Sequence, residues 1–154
     1  MGREDHGHGG RGRRLEVGGG VGGLSRPGRP GDRVRKLIGR GKELEHPLVL
    51  VGSSMGGYVS AAAASTLGAS GLFLLAPAFY MAGYEEYTPQ DVACPTVITH
   101  GWHDDIVPVE NSIRWAREHR AALHLLDSGH RLEDQIEAIC LSLRAFLLAL
   151  AQPT

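Results

Sequence analysis

A chain of 154 residues is long enough for one domain with its own core. Its formal net charge of −1 gives no overall attraction to a polyanion, so no nucleic-acid partner is expected. No N-terminal apolar run resembles a signal peptide and no stretch of 18 apolar residues could span a bilayer; the expectation is a cytoplasmic protein with no membrane partner.

Residues 1–31 do not read as a folded element. Their glycine and arginine runs have no helical or strand period and offer almost nothing apolar to bury. Residues 1–45 carry 11 Lys/Arg against 6 Asp/Glu, the reverse of the balance in the rest of the chain. An Arg/Gly tail that binds nucleic acid is the sharper alternative, but no aromatic residue interleaves the arginines. His6 and His8 read as a flexible surface pair. The folded domain is expected over residues 32–154.

Asp32 is a candidate N-cap for a helix running to about Leu44, with Val34, Leu37, Ile38 and Leu44 on one face. Gly39 and Gly41 weaken it. Residues 48–51 are an apolar strand that runs into Gly52-Ser53-Ser54-Met55-Gly56, and an alanine-rich helix follows. A second continuous apolar run, residues 70–76, is a strand covered on both faces. Residues 77–93 form a loop with Phe79, Tyr80, Met81, Tyr84 and Tyr87, which either pack over the sheet edge or wall an acyl pocket. Residues 95–99 are a third strand, and Pro108 opens a helix with Val109, Ile113 and Ala116 inward. Residues 121–126 are a fourth strand. In residues 132–150, Leu132, Ile136, Ile139, Cys140, Leu143, Phe146, Leu147 and Leu150 repeat at helical spacing and read as core. Cys94 and Cys140 lie in apolar surroundings and are expected to be buried free thiols. Alternating strands and helices predict an α/β fold: three layers, α/β/α, around a mostly parallel sheet.

The chemistry lies at the strand ends, where ligands bind in open parallel sheets. The turn at residues 52–56 fits G-x-S-x-G, with Ser54 at its centre in a strained conformation that lifts the hydroxyl clear of the sheet. Its glycines are expected to avoid collisions with the neighbouring strand and helix. The start of the helix aims backbone N–H groups at an anion forming beside the serine. The loop after the third strand holds Asp104 and Asp105, and the loop after the fourth holds His130. A serine hydroxyl is a poor nucleophile at neutral pH. An imidazole in reach takes its proton during attack, and a buried carboxylate fixes the tautomer of that imidazole. The order Ser, Asp, His is the one used by α/β-hydrolases.

The chain resembles the C-terminal two-thirds of an α/β-hydrolase over roughly residues 32–151. The elbow Gly52-Ser-Ser-Met-Gly-Gly-Tyr58 is similar to that of small bacterial esterases and thioesterases. His100-Gly-Trp-His-Asp104-Asp-Ile-Val-Pro108 resembles the H-G-x-x-D-x-x-V-P acid loop, and Ser128-Gly-His130 the histidine loop. The resemblance implies Ser54 as nucleophile, His130 as base, Asp104 rather than Asp105 as acid, and the Met55 backbone N–H as oxyanion donor. Phe79, Tyr80 and Trp102 are the candidate substrate-binding residues. His100 and His103 read as supporting or surface groups. No metal or organic cofactor is implied. The expected substrate is a small acyl ester or thioester.

Family members carry several strands before the elbow, one ending in a loop that supplies a second oxyanion donor, and residues 1–31 read as none of these. A mispredicted start, a truncation or a shifted reading frame would each produce such a stretch. The elbow strand would then be a bare edge through which two copies could pair as a homodimer. A catalytically impaired remnant, serving as a binding or dimerisation module, is the rival to the hydrolase reading.

Overall fold

In the computed structural model, residues 29–153 are described. The expectations for residues 1–28, including the nucleic-acid-binding tail and the His6–His8 pair, lie outside them. Four strands form one sheet in the order β1-β2-β3-β4: β1 is Val49–Ser53, β2 Gly71–Leu75, β3 Thr96–Gly101 and β4 Ala122–Leu126. All three pairings are parallel. Helices α1 (Pro30–Gly41), α2 (Met55–Leu67), α3 (Val109–His119) and α4 (Ile136–Leu150) complete the described elements, with short 3₁₀ turns at Glu85–Tyr87 and Glu133–Gln135.

The apolar runs divide between two faces with the period of two that a strand imposes. Leu50, Leu72, Leu74 and Ile98 pack on one side with Ala61, Ala63, Ala64 and Leu67 of α2 and Trp115 and Ala116 of α3. Val34, Leu37 and Ile38 of α1 close over the same core. On the other side Phe73 and Val97 meet Phe146 of α4, flanked by Val49, Val51, Leu75, Ile139, Leu143 and Leu150. The result is the expected three-layer α/β/α sandwich around a parallel sheet.

Three local expectations are corrected. Helix α1 begins at Pro30, whose fixed φ and missing N–H suit a first helical position, so Asp32 lies inside the first turn instead of capping it. There its carboxylate pairs with Arg35. The stripe from Leu132 to Leu150 is interrupted by the 3₁₀ turn, and Phe146 is the one buried residue of α4. Ile136 is 60% exposed, and Leu141 and Leu148 are exposed as well. Helical spacing tells which side chains share a face, and only one strip of α4 lies on Phe73, Val97 and the side chains flanking them. Cys140 is therefore exposed and Cys94 half-buried, both as free thiols. Burial pushes the Cys94 thiol up from its ordinary value. Among the described residues no helix is long and apolar enough to cross a membrane.

Candidate active site

Strand β1 ends by delivering Ser54 into a conformation that L-residues rarely adopt, φ 53° and ψ −120°. Such a backbone costs about 1–3 kcal/mol and persists only where its surroundings over-determine it. Here they do. The Ser54 N–H donates to the Leu75 carbonyl at 2.9 Å, and the Ser54 carbonyl accepts from Gly57, Tyr58 and Ala78 at 3.0, 3.2 and 3.0 Å. Gly52 is required by packing, since a Cβ there would lie 2.3 Å from the Gly56 carbonyl oxygen. The expectation that Gly56 also avoids a collision is corrected: a Cβ at Gly56 meets nothing within 4 Å, and the crowded position is Gly57, set against Pro77. Met55 begins α2, where a backbone N–H has no carbonyl of its own helix to bond.

Two further loops reach the same rim. His130 places Nε2 3.1 Å from the Ser54 hydroxyl oxygen, across 76 positions of sequence. Its Nδ1 lies 2.7 Å from Oδ2 of Asp104. The Asp104 side chain is fully buried and that of His130 is 20% exposed. Asp105 is exposed, so of the two acids left open by the residues alone, Asp104 is the one in contact with the imidazole. The acid and histidine loops are stitched together by main chain. Trp102 and His103 donate to the carbonyls of Leu126 and Ser128 at 2.9 and 3.0 Å. A Cβ at Gly101 would lie 2.2 Å from the Ser128 carbonyl oxygen, so only glycine permits that approach.

The electrostatics follow from these contacts. Burial by itself would raise the pKa of Asp104. The hydrogen bond from His130 and the N–H groups of Val107 and Ile106 outweigh it and hold the carboxyl below its ordinary value. Both backbone donors meet Oδ1 at 2.8 Å, leaving Oδ2 for the imidazole. Asp104 is thus an anion with a buried side chain. With both Nδ1 and Oδ2 committed to one another, the His130 nitrogen facing Ser54 is left bare.

The other candidates are scattered. Phe79 is fully buried and stacks on Trp115 with ring centroids 4.8 Å apart. Tyr80 is buried, with its hydroxyl 2.6 Å from Glu118 and the Arg114 guanidinium over its ring. Both belong to the packing between the loop and α3. Trp102 is 52% exposed, and His103 pairs with Asp127 at the surface. The cleft beside His130 is open, about 750 Å³, and lies between Asp105 and Ile106 of the acid loop and the segment from Ser128 to Asp134. Within that segment the Ser128 hydroxyl donates to Asp134. Sequence reasoning missed this cleft. The one signal for it is Ile106, an apolar side chain in a polar loop, which is 58% exposed.

Sequence reasoning also left His100 among the loop groups. Strand β3 runs through to Gly101, so His100 is a strand residue with a fully buried ring. Its Nε2 lies 3.0 Å from Asp104 Oδ2 and 3.0 Å from the Val107 carbonyl oxygen, and its Nδ1 lies 2.7 Å from the Ser112 hydroxyl. Ser112 on the inward face of α3, one turn from Val109 and Ala116, was the available signal.

No protein-family model and no curated protein matches the sequence. Solved structures do match. A protein from Xanthomonas campestris, described as a hydrolase of the alpha/beta superfamily, is 30% identical with a TM-score of 0.72, over 78% of this chain and 69% of that one. An alpha-beta serine hydrolase homologue from Coxiella burnetii is 24% identical at a TM-score of 0.64, over 82% of this chain and 64% of that one. Mouse alpha/beta hydrolase domain-containing protein 10 is 18% identical at 0.69, over 84% and 73%, and supports the fold alone. With the parallel sheet, the strained elbow and the first of these relatives in agreement, the chain belongs to the α/β-hydrolase superfamily and is a hydrolase in general class.

Proposed function

We propose that the chain is a serine hydrolase that cleaves a carboxylic ester or thioester through Ser54, His130 and Asp104. The observation that carries the reading is the unbroken line of contacts from the Ser54 hydroxyl through His130 to a buried carboxylate, 3.1 and then 2.7 Å long. Nε2 of His130 takes the hydroxyl proton as Oγ bonds to the acyl carbon. The oxyanion that forms faces the N-terminus of α2, where the Met55 N–H is free to donate. His130 then gives its proton to the departing alcohol or thiol, and the carbonyl re-forms as the acyl-serine. Water repeats the cycle with His130 as base, releasing the acid and restoring Ser54. Asp104 stays ionised throughout and stabilises the imidazolium that forms in each step. The cleft between the acid and histidine loops borders His130 and supports the reading by leaving room beside the imidazole.

Labelling by a fluorophosphonate probe tests the reading. The folded protein should be labelled at Ser54, and the labelling should disappear in Ser54→Ala. Folded protein that takes no label would favour the rival reading, a remnant that binds without catalysis.

A further inference from the structure

The mechanism above makes no use of His100. Its ring bridges β3, the acid loop and α3, and no part of it reaches solvent. Both neighbours of Nε2 are acceptors, a carbonyl and a carboxylate. A bare Nε2 would set three lone pairs against each other in a site without water, so this nitrogen carries the hydrogen. Desolvation pushes the ring below its ordinary pKa, against the opposing pull of the Val107 carbonyl and Asp104. The ring is therefore neutral and Nδ1 accepts from the Ser112 hydroxyl, itself fully buried.

We propose that His100 is a positioning residue for the hydrolase reaction: its Nε2–H, fixed in that tautomer by the Val107 carbonyl and the carboxylate that face it, braces Oδ2 of Asp104 against His130, while the Ser112 hydroxyl satisfies the opposite nitrogen. This rests on the triad reading and extends it to a five-residue line, Ser112, His100, Asp104, His130 and Ser54. Oδ1 of Asp104 is already held by two backbone N–H groups. Oδ2, the oxygen that matters to His130, has side chains as its partners, His130 at 2.7 Å and His100 at 3.0 Å. A neutral donor suits this position. An arginine or lysine there would fix the carboxylate equally well, but its charge would oppose the imidazolium that forms during attack. The titratable groups around His100 are Asp104 on the acid loop and His130 on the loop after β4; α3 presents only the Ser112 hydroxyl.

Three variants and two readouts test this. His100→Leu removes the donor, His100→Gln keeps an N–H near the Nε2 position, and Ser112→Ala leaves Nδ1 without its partner while both acceptors at Nε2 remain. With folding checked by circular dichroism, kcat in His100→Leu should fall about 10- to 100-fold at nearly unchanged KM. The acid limb of kcat/KM should move to higher pH, because an unshared Oδ2 favours the imidazolium more. His100→Gln should recover most of the loss. The second readout needs no activity. Ring ¹⁵N spectra should show His100 protonated at Nε2 alone, in Ser112→Ala as in the wild type, and the hydrogen-bonded Nδ1 proton of His130 should move in His100→Leu and return toward its wild-type position in His100→Gln. Wild-type kcat and pH profile in folded His100→Leu would overturn the proposal. So would a His100 ring protonated at Nδ1, or a His130 Nδ1 proton indifferent to His100→Leu, and these two hold even where the triad reading itself has failed the probe-labelling test.

Discussion

Asp104→Asn isolates what the buried carboxylate does, because the structure dictates how the new side chain sits. Oδ1 accepts from the Ile106 and Val107 N–H groups at 2.8 Å each. The asparagine carbonyl must take that place, since the amide NH₂ there would oppose two donors. The NH₂ is then forced into the Oδ2 position, 2.7 Å from Nδ1 of His130. It donates where the carboxylate accepted, so Nδ1 gives up its hydrogen and Nε2 takes it. A protonated Nε2 has no lone pair for the Ser54 proton 3.1 Å away. This exchange in a serine-protease triad lowers kcat about 10⁴-fold, which is roughly 5.4 kcal/mol at about 1.36 kcal/mol per factor of ten. The assay is steady-state hydrolysis of a chromogenic short-chain ester, with the rate of fluorophosphonate labelling as a second measure; both should fall in proportion. Asp105→Asn, at an exposed neighbour, should change either rate less than twofold. Folded Asp104→Asn working within tenfold of wild type would refute the tautomer argument and remove Asp104 from the mechanism.

Other expectations follow from the same geometry. Gly52→Ala puts a Cβ 2.3 Å from the Gly56 carbonyl and 2.6 Å from the Ser60 hydroxyl, so the elbow must shift and ester hydrolysis should drop at least about 100-fold, the cost typical of misplacement by about 1 Å. Gly56→Ala meets nothing and removes a helical glycine, so a thermal melt should show stability unchanged or raised by up to about 1 kcal/mol. Trp115→Ala empties the space beneath Phe79 and His119 and orphans the Pro89 carbonyl that accepts from the indole at 2.7 Å; urea titration should register a loss of about 3–5 kcal/mol. His100, lowered from 6.5, takes its proton more readily unfolded than folded. Its contribution is therefore complete above about pH 6.5 and lost as pH falls through the lower folded value, with a slope of up to about 1.36 kcal/mol per pH unit that His100→Gln should remove. The carboxylate of Asp104 is also depressed, from 3.8, so its contribution holds down through pH 4 and fails only below that.

The elements that sequence made legible are those whose chemistry is local. Continuous apolar runs such as Leu72, Phe73 and Leu74 required cover on both faces, and α1, α2 and α3 supply it on one side and α4 on the other. The strand-to-helix turn at Ser54 and the two loops after β3 and β4 were readable because strand ends face one rim of a parallel sheet. What was not legible depends on how much of a surface its neighbours reach. The α4 stripe has the spacing of a core helix, yet Ile136 stands 60% exposed because the sheet beneath is narrow. Phe79 and Tyr80 have the composition of a pocket wall, and only the position of α3 decides that they pack inward. The burial of His100 turned on where β3 stops, two residues later than the strand reading placed it.

The arrangement of supports explains where the site is firm and where it is soft. Asp104 is held by its own loop, through Ile106 and Val107, and by His100 on β3, an inner strand bonded on both sides. His130 is held by the main-chain stitching of its loop to Trp102 and His103, which again returns to β3. Asp104 and His130 are therefore both anchored to the middle of the sheet. Ser54 is not. Ser54 follows β1, which among the described residues is bonded to β2 alone, and two contacts tie its backbone to β2 and the segment beyond it: Ser54 N–H to Leu75 and Ala78 N–H to Ser54. Strain at φ 53° stores energy that any loosening of those two bonds would release. The distance most sensitive to local opening is thus the 3.1 Å between Ser54 and His130, while the 2.7 Å pair of His130 and Asp104 stays intact. A site divided in this way loses the Ser54–His130 contact first and keeps the hydrogen-bonded pair of His130 and Asp104, because β1 has a bonded neighbour on one side alone among the described residues and β3 has one on each.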